Sequence, residues 1–341
     1  MPILVTPAVS VYSFTMKKSR NIVPLPEGVR VNSDDSMNGP FASGRRCLGC
    51  NAVEKVAASE AIWPLGWRCS GCGYAAAQGG GIPMFAPELA DTVSGVDPAG
   101  LAALAKVETE HFWFVARNRL IVGLAAKFFP DARRFLEIGC GNGAVIGAMA
   151  KSRSWERLVG SELHPSALIH ARQRVPSEVE FVQMDARRIP ASSLFDLTGA
   201  FDVIEHIADD EGVLRGLRVA TRPRGGIIVA VPQHPWLWSR ADDLAHHERR
   251  YRRGELEAKL RRNGFEVLFS SSYTALLLPL MMASRLLDKG NEEAKDPLRE
   301  FKLNPLVNRA FTAILLAEVR MTLAGLRWPA GGSRIVVGRA A

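Results

Sequence analysis

The sequence predicts an α/β protein built on a seven-stranded, mostly parallel sheet with helices on both faces. Two observations predict it. From residue 133 onward, short apolar runs rich in β-formers alternate with longer segments of helical periodicity. The first of these runs leads straight into a loop with glycines at alternate positions, Gly139, Gly141 and Gly143, as expected between a buried strand and a helix. The strand segments are 133–138, 157–162, 179–184, 197–204, 226–231, 265–271 and 334–338, and the helices between them 143–151, 165–174, 209–220 and 254–262. Gly264 suits the C-cap of the last helix. Of the 341 residues 47% are hydrophobic and 23% charged, which is ample for a packed core and ordinary for a globular chain.

The other segments follow in order. Residues 1–40 are rich in Pro, Ser, Asn and Asp with little periodicity, which predicts a loosely ordered tail. Residues 41–90 carry four cysteines, end in the turn-rich "GGGIPMFAPE", and form a small module of their own. Residues 97–129 read as helical: Pro98 suits a first turn, and Leu101, Leu104, Ala105, Phe112, Val115, Leu120 and Leu124 recur at near-helical spacing. The span 97–341 is one domain, interrupted before its last strand by an apolar helical insertion, 274–328, that "DKGNEEAKDP" divides.

A net charge of +8 permits an anionic partner, although scattered arginine also marks a solvated surface. The opening "MPILVTPAVSVYSF" has no basic n-region and carries two prolines, so no secretory signal is expected. The stretch closest to a membrane span, Ala275 to Ala283, is nine residues with Pro279 inside, against roughly 18–20 for a span. A cytoplasmic protein is expected. Four of the five cysteines form Cys47-x2-Cys50 and Cys69-x2-Cys72, with 18 residues between the pairs. In a reducing compartment that spacing points to zinc rather than to disulfides. Four thiolates leave no open position, so the zinc would be structural.

Glycines at 139, 141 and 143 let backbone N–H groups approach a ligand closely. Gly139-x-Gly141-x-x-Ala144, with Glu162 23 residues after Gly139, also satisfies a dinucleotide fingerprint, so the loop alone leaves its adenosyl ligand open. Three features separate the readings. Glu137, just before the loop, can anchor a cationic ligand and would repel a pyrophosphate. Asp185 ends the third strand, placed to accept from an adenine amine. "FDVIEHI", Phe201 to Ile207, ends the fourth strand, where an α/β sheet puts its crevice.

The ordered series "FLEIGCGNG", "LVGSELHP", "VEFVQMDA", "LTGAFDVIEHIADD" and "RPRGGIIVAVP" resembles the motifs of class I S-adenosylmethionine-dependent methyltransferases, over about 97–271 and a final strand at 334–338. The resemblance implies a Rossmann-like methyltransferase sheet, S-adenosylmethionine as cofactor, and roles at matching positions. Gly139, Gly141, Asn142 and Gly143 would meet the methionine moiety, with Glu137 near its amino group and Phe201 beside it. Glu162 would bind the ribose hydroxyls, Leu163 would pack on adenine, and Asp185 with Ala186 would read its edge. The cysteine module resembles the small zinc ribbons attached to some methyltransferases.

The chemistry expected is transfer of a methyl group to a small-molecule or lipid-like acceptor, at oxygen. "HFWF…R" followed by "HHERRY" is similar to a subgroup linked to lipid, polysaccharide or secondary metabolism. A hydroxyl acceptor must lose a proton, and His206, His247 and His234 are the candidate bases. Asp202-x-x-Glu205-His206 looks like the E-x-x-E-H of ubiquinone-pathway O-methyltransferases, whose side chains can hold a divalent metal, with Asp in place of the first Glu. Arg117 or Arg119, in "ETEHFWFVARNRLI", would reach a carboxylate. The insertion 274–328 is read as a lid over an apolar acceptor, a homodimer interface or a peripheral membrane contact. Two alternatives remain. One is a ribosomal RNA base methyltransferase whose zinc ribbon binds RNA, although "DVIEHI" lacks the Asn/Asp-Pro-Pro-aromatic signature of amino-group methylation. The other is a non-catalytic zinc-ribbon scaffold.

Overall fold

A computed structural model describes residues 42–90, 98–287 and 303–341; the expected tail, 1–40, and "DKGNEEAKDP" lie outside them. The N-terminal module supplies β1 (Gly44–Arg46), β2 (Val53–Glu54), β3 (Ala77–Gly79), β4 (Ile82–Met84) and the short α1 (Pro87–Ala90). Two helices follow, α2 (Pro98–Glu110) and α3 (Phe112–Phe128), and then the alternation begins. It runs β5 (Arg134–Ile138), α4 (Ala144–Ser152), β6 (Arg157–Glu162), α5 (Pro165–Arg172), β7 (Val179–Gln183), the two-residue β8 (Ala191–Ser192), β9 (Phe195–Phe201) and α6 (Asp210–Ala220). It continues with β10 (Thr221–Pro232), α7 (Arg240–Leu244), α8 (Glu255–Arg262), β11 (Phe265–Tyr273), α9 (Leu278–Leu287), α10 (Pro305–Leu323) and β12 (Ser333–Ala340).

The central sheet has nine strands in the order β11-β12-β10-β9-β5-β6-β7-β4-β3. Seven are the strands expected from 133 onward, and β5, β6, β7, β9 and β10 pair in parallel. β12 runs antiparallel between β10 and β11. The order therefore reverses between β5 and β9, and the ends of these strands meet at the switch point where such sheets place ligands.

The two additional strands come from the cysteine module. β3 and β4 form a hairpin whose turn residues, Gly80 and Gly81, both have positive φ, as a two-residue primed turn requires. β4 then pairs in parallel with β7 through Met84 and Gln183, and β1 pairs with β8. The module therefore joins the larger sheet through β4, and β1 forms a separate three-stranded sheet with β2 and β8.

Side-chain alternation along the strands splits the interior into two layers. Ile228, Ala230, Ile335 and Val337 face α3, α4 and α10. Ile227, Val229, Val231 and Val336 face α6, α8 and the module's Trp63, Trp67 and Phe85. The central strands β5, β6, β9 and β12 bury both faces, which is why the sequence runs here are largely apolar.

Candidate active site

β5 delivers the glycine loop at the switch point. Gly139, Gly141 and Gly143 have φ of +66°, +55° and +80°, a region costly for side-chain-bearing residues. A Cβ on Gly139 would lie 2.4 Å from Val203 Cγ2, so Val203 closes over the loop. Glu162, at the end of β6, braces it: one carboxylate oxygen accepts from Gly141 N at 3.2 Å, the other from Leu163 N at 2.7 Å and His164 N at 3.3 Å.

A cavity of about 350 Å³ opens beside this loop. Of the expected cofactor residues, Gly139, Glu162, Leu163, Asp185 and Ala186 line it. Asp185 is held by Arg187 through its side chain (2.7 Å) and backbone N–H (2.9 Å). Glu137, Gly141, Asn142, Gly143 and Phe201 do not line the cavity. Asn142 is buried and its carbonyl accepts from Arg174. Glu137 is 2% exposed, its Oε2 has no hydrogen-bond partner among the described residues, and burial pushes its pKa up to about 8 against the pull of Arg117. Phe201 packs in the core with Phe135 and Leu197. β9 ends at Phe201, earlier than the predicted 204, and the chain turns at Asp202, φ +57°. That turn brings Asp202 and Val203 to the cavity in place of Phe201.

Sequence reasoning did not foresee the part of the N-terminal module in this wall. Leu89, just past β4, lines the cavity. Gln183 ties the module to the adenine side: its Nε2 donates to Ala86 O at 2.6 Å and Leu163 O at 3.1 Å, and its Oε1 accepts from Ala86 N at 3.0 Å.

The fourth-strand end gathers the catalytic candidates. Asp202 does not join Glu205 and His206; it is bound to Arg117 of α3 at 2.7 Å, in a pair nearly closed to solvent. The Arg117 guanidinium lies over Trp113 (4.7 Å) and Phe114 (5.2 Å). The aromatics of "HFWF" are thus core residues that also shelter this contact.

Glu205 and His206 occupy a short 3₁₀ turn, Ile204–His206, and His247 reaches them from the loop after β10. The His206 and His247 rings lie edge to face, 4.6 Å between centroids. His247 Nδ1 is 2.9 Å from Asp242 Oδ1, which Arg250 Nε also approaches, at 2.6 Å. Burial works against the Asp242 carboxylate, but the hydrogen bonds from His247 and Arg250 hold its pKa at about 2. Burial lowers His206 to about 3. Among the described residues, both oxygens of Glu205 and the Nε2 atoms of His206 and His247 have no hydrogen-bond partner, and one ligand atom from each residue lies within 4.8 Å of the others. Of the three candidate bases only His206 lines the cavity; His247 is buried behind it, and His234 stands apart, its ring 5.1 Å from Trp236. The run "DDLAHHER" carried the signal for Asp242, but sequence spacing could not show that its His247 meets Glu205, 42 residues earlier.

The four module cysteines also converge. Cys47 Sγ lies 3.5 Å from Cys72 Sγ and Cys50 Sγ 3.7 Å from Cys69 Sγ, with all four within 4.8 Å. A zinc tetrahedron with ~2.3 Å bonds has sulfur–sulfur edges of roughly 3.8 Å, so the donors fit that ion.

Residues 136–229 match the methyltransferase domain family. The ubiquinone biosynthesis O-methyltransferase of Paracidovorax citrulli is 27% identical over 157 residues, 41% of this chain and 63% of the relative. The chain carries an S-adenosylmethionine-dependent methyltransferase domain. The enzyme of the same name from Rhodopseudomonas palustris is 26% identical over 170 residues, 42% of this chain and 65% of that protein. The alignments thus span a little under two thirds of these relatives. In fold, the methyltransferase domain is similar to phosphoethanolamine N-methyltransferase 2 of Haemonchus contortus, solved with S-adenosyl-L-methionine. The TM-score is 0.52 at 17% identity, covering 74% of this chain and 60% of that one. Among the described residues no helix is long and apolar enough to cross a membrane.

Proposed function

We propose that the protein is a cytoplasmic O-methyltransferase acting on a hydroxyl of a small-molecule or lipid-like acceptor, in secondary metabolism or lipid or polysaccharide biosynthesis. The observation that carries this reading is the buried series Arg250–Asp242–His247, whose last member meets His206 beside the cavity. S-adenosylmethionine, when bound, supplies an electrophilic methyl group on a sulfonium. The partly exposed chemistry of this site suits it: a glycine cradle, a buried carboxylate at Glu137 with a free oxygen, and Glu162 with Leu163, Asp185 and Ala186 along the cavity. The protein's own work is then to position the acceptor and take its proton.

His247 is the better base. Asp242 fixes its Nδ1–H, which leaves Nε2 as the acceptor, and Arg250 keeps Asp242 ionised. His206, with its pKa lowered, is a weak base and serves as a neutral hydrogen-bond partner at the cavity wall. His234 has no part in this arrangement. A structural zinc on Cys47, Cys50, Cys69 and Cys72 belongs to the same proposal.

The test is release of S-adenosylhomocysteine from hydroxyl-bearing acceptors. His247→Ala should lower kcat by roughly 10²–10⁴, the usual worth of a positioned base, with cofactor affinity unchanged. Turnover surviving in that variant would overturn the assignment. A second reading rests on the unpartnered atoms of Glu205, His206 and His247: two imidazoles and a carboxylate suit a divalent transition metal, with Asp242 orienting one ligand. Loss of activity in EDTA, restored by a divalent ion, would select it.

A further inference from the structure

Among the described residues, eight of the twelve large hydrophobic side chains left exposed fall between Leu276 and Leu326. On α10, Val307, Ile314 and Met321 follow one another at seven-residue intervals, with Ala310 and Ala317 between them and the C-cap Ala324 just beyond, all open to solvent. They therefore form one stripe along the helix. Leu306, beside that stripe, is 72% exposed. The opposite side of α10 is apolar as well: Phe311, Leu315 and Val319 pack into the layer against α3. The helix thus carries a second apolar face, left open beside the exposed Arg309 and Arg320.

The charge of this surface limits what covers it. Residues 274–287 and 303–341 contain one carboxylate side chain, Glu318, which is 2% exposed and accepts from Leu276 N. Arg309, Arg320 and Arg327 are exposed around the stripe. Where the stripe ends, Arg327 and Trp328 line a second cavity, of about 330 Å³, together with Arg253, Arg261, Phe269 and the ion-paired Glu257 and Arg334. None of Arg253, Arg261 and Arg327 has an ion-pair partner among the described residues.

We propose that α10 and the turn after it form a docking surface for an anionic phospholipid bilayer. The aliphatic stripe would lie at the level of the acyl chains' upper ends, the flanking arginines among the phosphates, and the arginine cavity around a headgroup phosphate. A second copy of this chain fits less well, because two such faces bring arginines together with no exposed carboxylate from either helix to pair them. RNA would use the arginines but leave the aliphatic stripe uncovered. The proposal does not depend on which acceptor is methylated.

Vesicle co-sedimentation of the full chain tests it. Vesicles of phosphatidylcholine with one quarter phosphatidylglycerol should retain the protein at least tenfold better than pure phosphatidylcholine, and the difference should shrink in high salt. Ile314→Glu with Met321→Glu should weaken retention at least tenfold, and Arg320→Glu with Arg327→Glu should abolish the preference for anionic vesicles. All four positions are on the surface, so melting temperature and cofactor affinity should stay unchanged. Absence of binding to either vesicle would overturn the proposal. So would light scattering that shows a dimer which Met321→Glu dissociates, or a preference for RNA over vesicles at equal salt.

Discussion

Glu137 shows what one buried group can report. Its carboxyl has a free oxygen and a pKa raised to about 8 by burial, so in the free protein it is protonated at pH 7. A ligand ammonium placed against it would favour the ionised form and lower that pKa. Cofactor binding at pH 7 should then release close to one proton, and affinity should climb with pH, by at most tenfold per unit, until it levels off near pH 8. Calorimetry in buffers of different ionisation enthalpy measures the proton directly. Glu137→Gln should remove both effects, and binding without proton release in the parent would exclude Glu137 as the ammonium partner. The same shift has a sign for stability. The folded state holds its proton above the ordinary carboxylate range, so stability is lost as pH rises toward and through 8. The Gln variant should therefore melt higher than the parent above pH 8 when no cofactor is present.

At the scale of elements, the cysteine module and the cavity are one structure. β4 extends the sheet beside β7, Gln183 bonds to both sides of the seam, and Leu89 reaches the cavity wall. Cys69→Ser should lower the melting temperature and also weaken cofactor binding several-fold, with zinc content falling from about one per chain. Titration that finds unchanged affinity in a zinc-free variant would show the seam to be mechanically independent. The sequence is silent about this seam, because three-residue strands carry no periodicity to read. The long strands from β5 onward were legible to within a few residues, since burial on both faces demands unbroken apolar runs. The glycine loop was legible for a similar reason, as few other residues tolerate those dihedrals. Phe201 was misplaced because its strand ends in a left-handed turn at Asp202, a conformation that an aspartate does not announce. Asp242, His247 and Arg250 were visible as a cluster of polar residues, but their meeting with Glu205 depends on how two loops fold over one another.

For the whole molecule, a net charge of +8 is compatible with several anionic partners, and salt separates them. An RNA acceptor held by several phosphate contacts loses roughly 10³–10⁵ in affinity between about 50 and 200 mM salt. A small hydroxyl acceptor in a cavity should show only a few-fold change in kcat/KM over that range. Steep loss of methyl transfer to ribosomal RNA, with robust turnover at low salt, would replace the small-molecule reading.

The position of β12 also sets an order of events during synthesis. It is made after both β10 and β11, yet it lies between them and runs against both. Until it arrives, β10 has one unpaired edge and β11, at the edge of the sheet, has no strand partner. The nascent chain therefore carries these open strand edges while α9, α10 and the residues between them leave the ribosome. During that interval the protein is most exposed to pairing with other chains, and a chaperone that shields strand edges would act on it then.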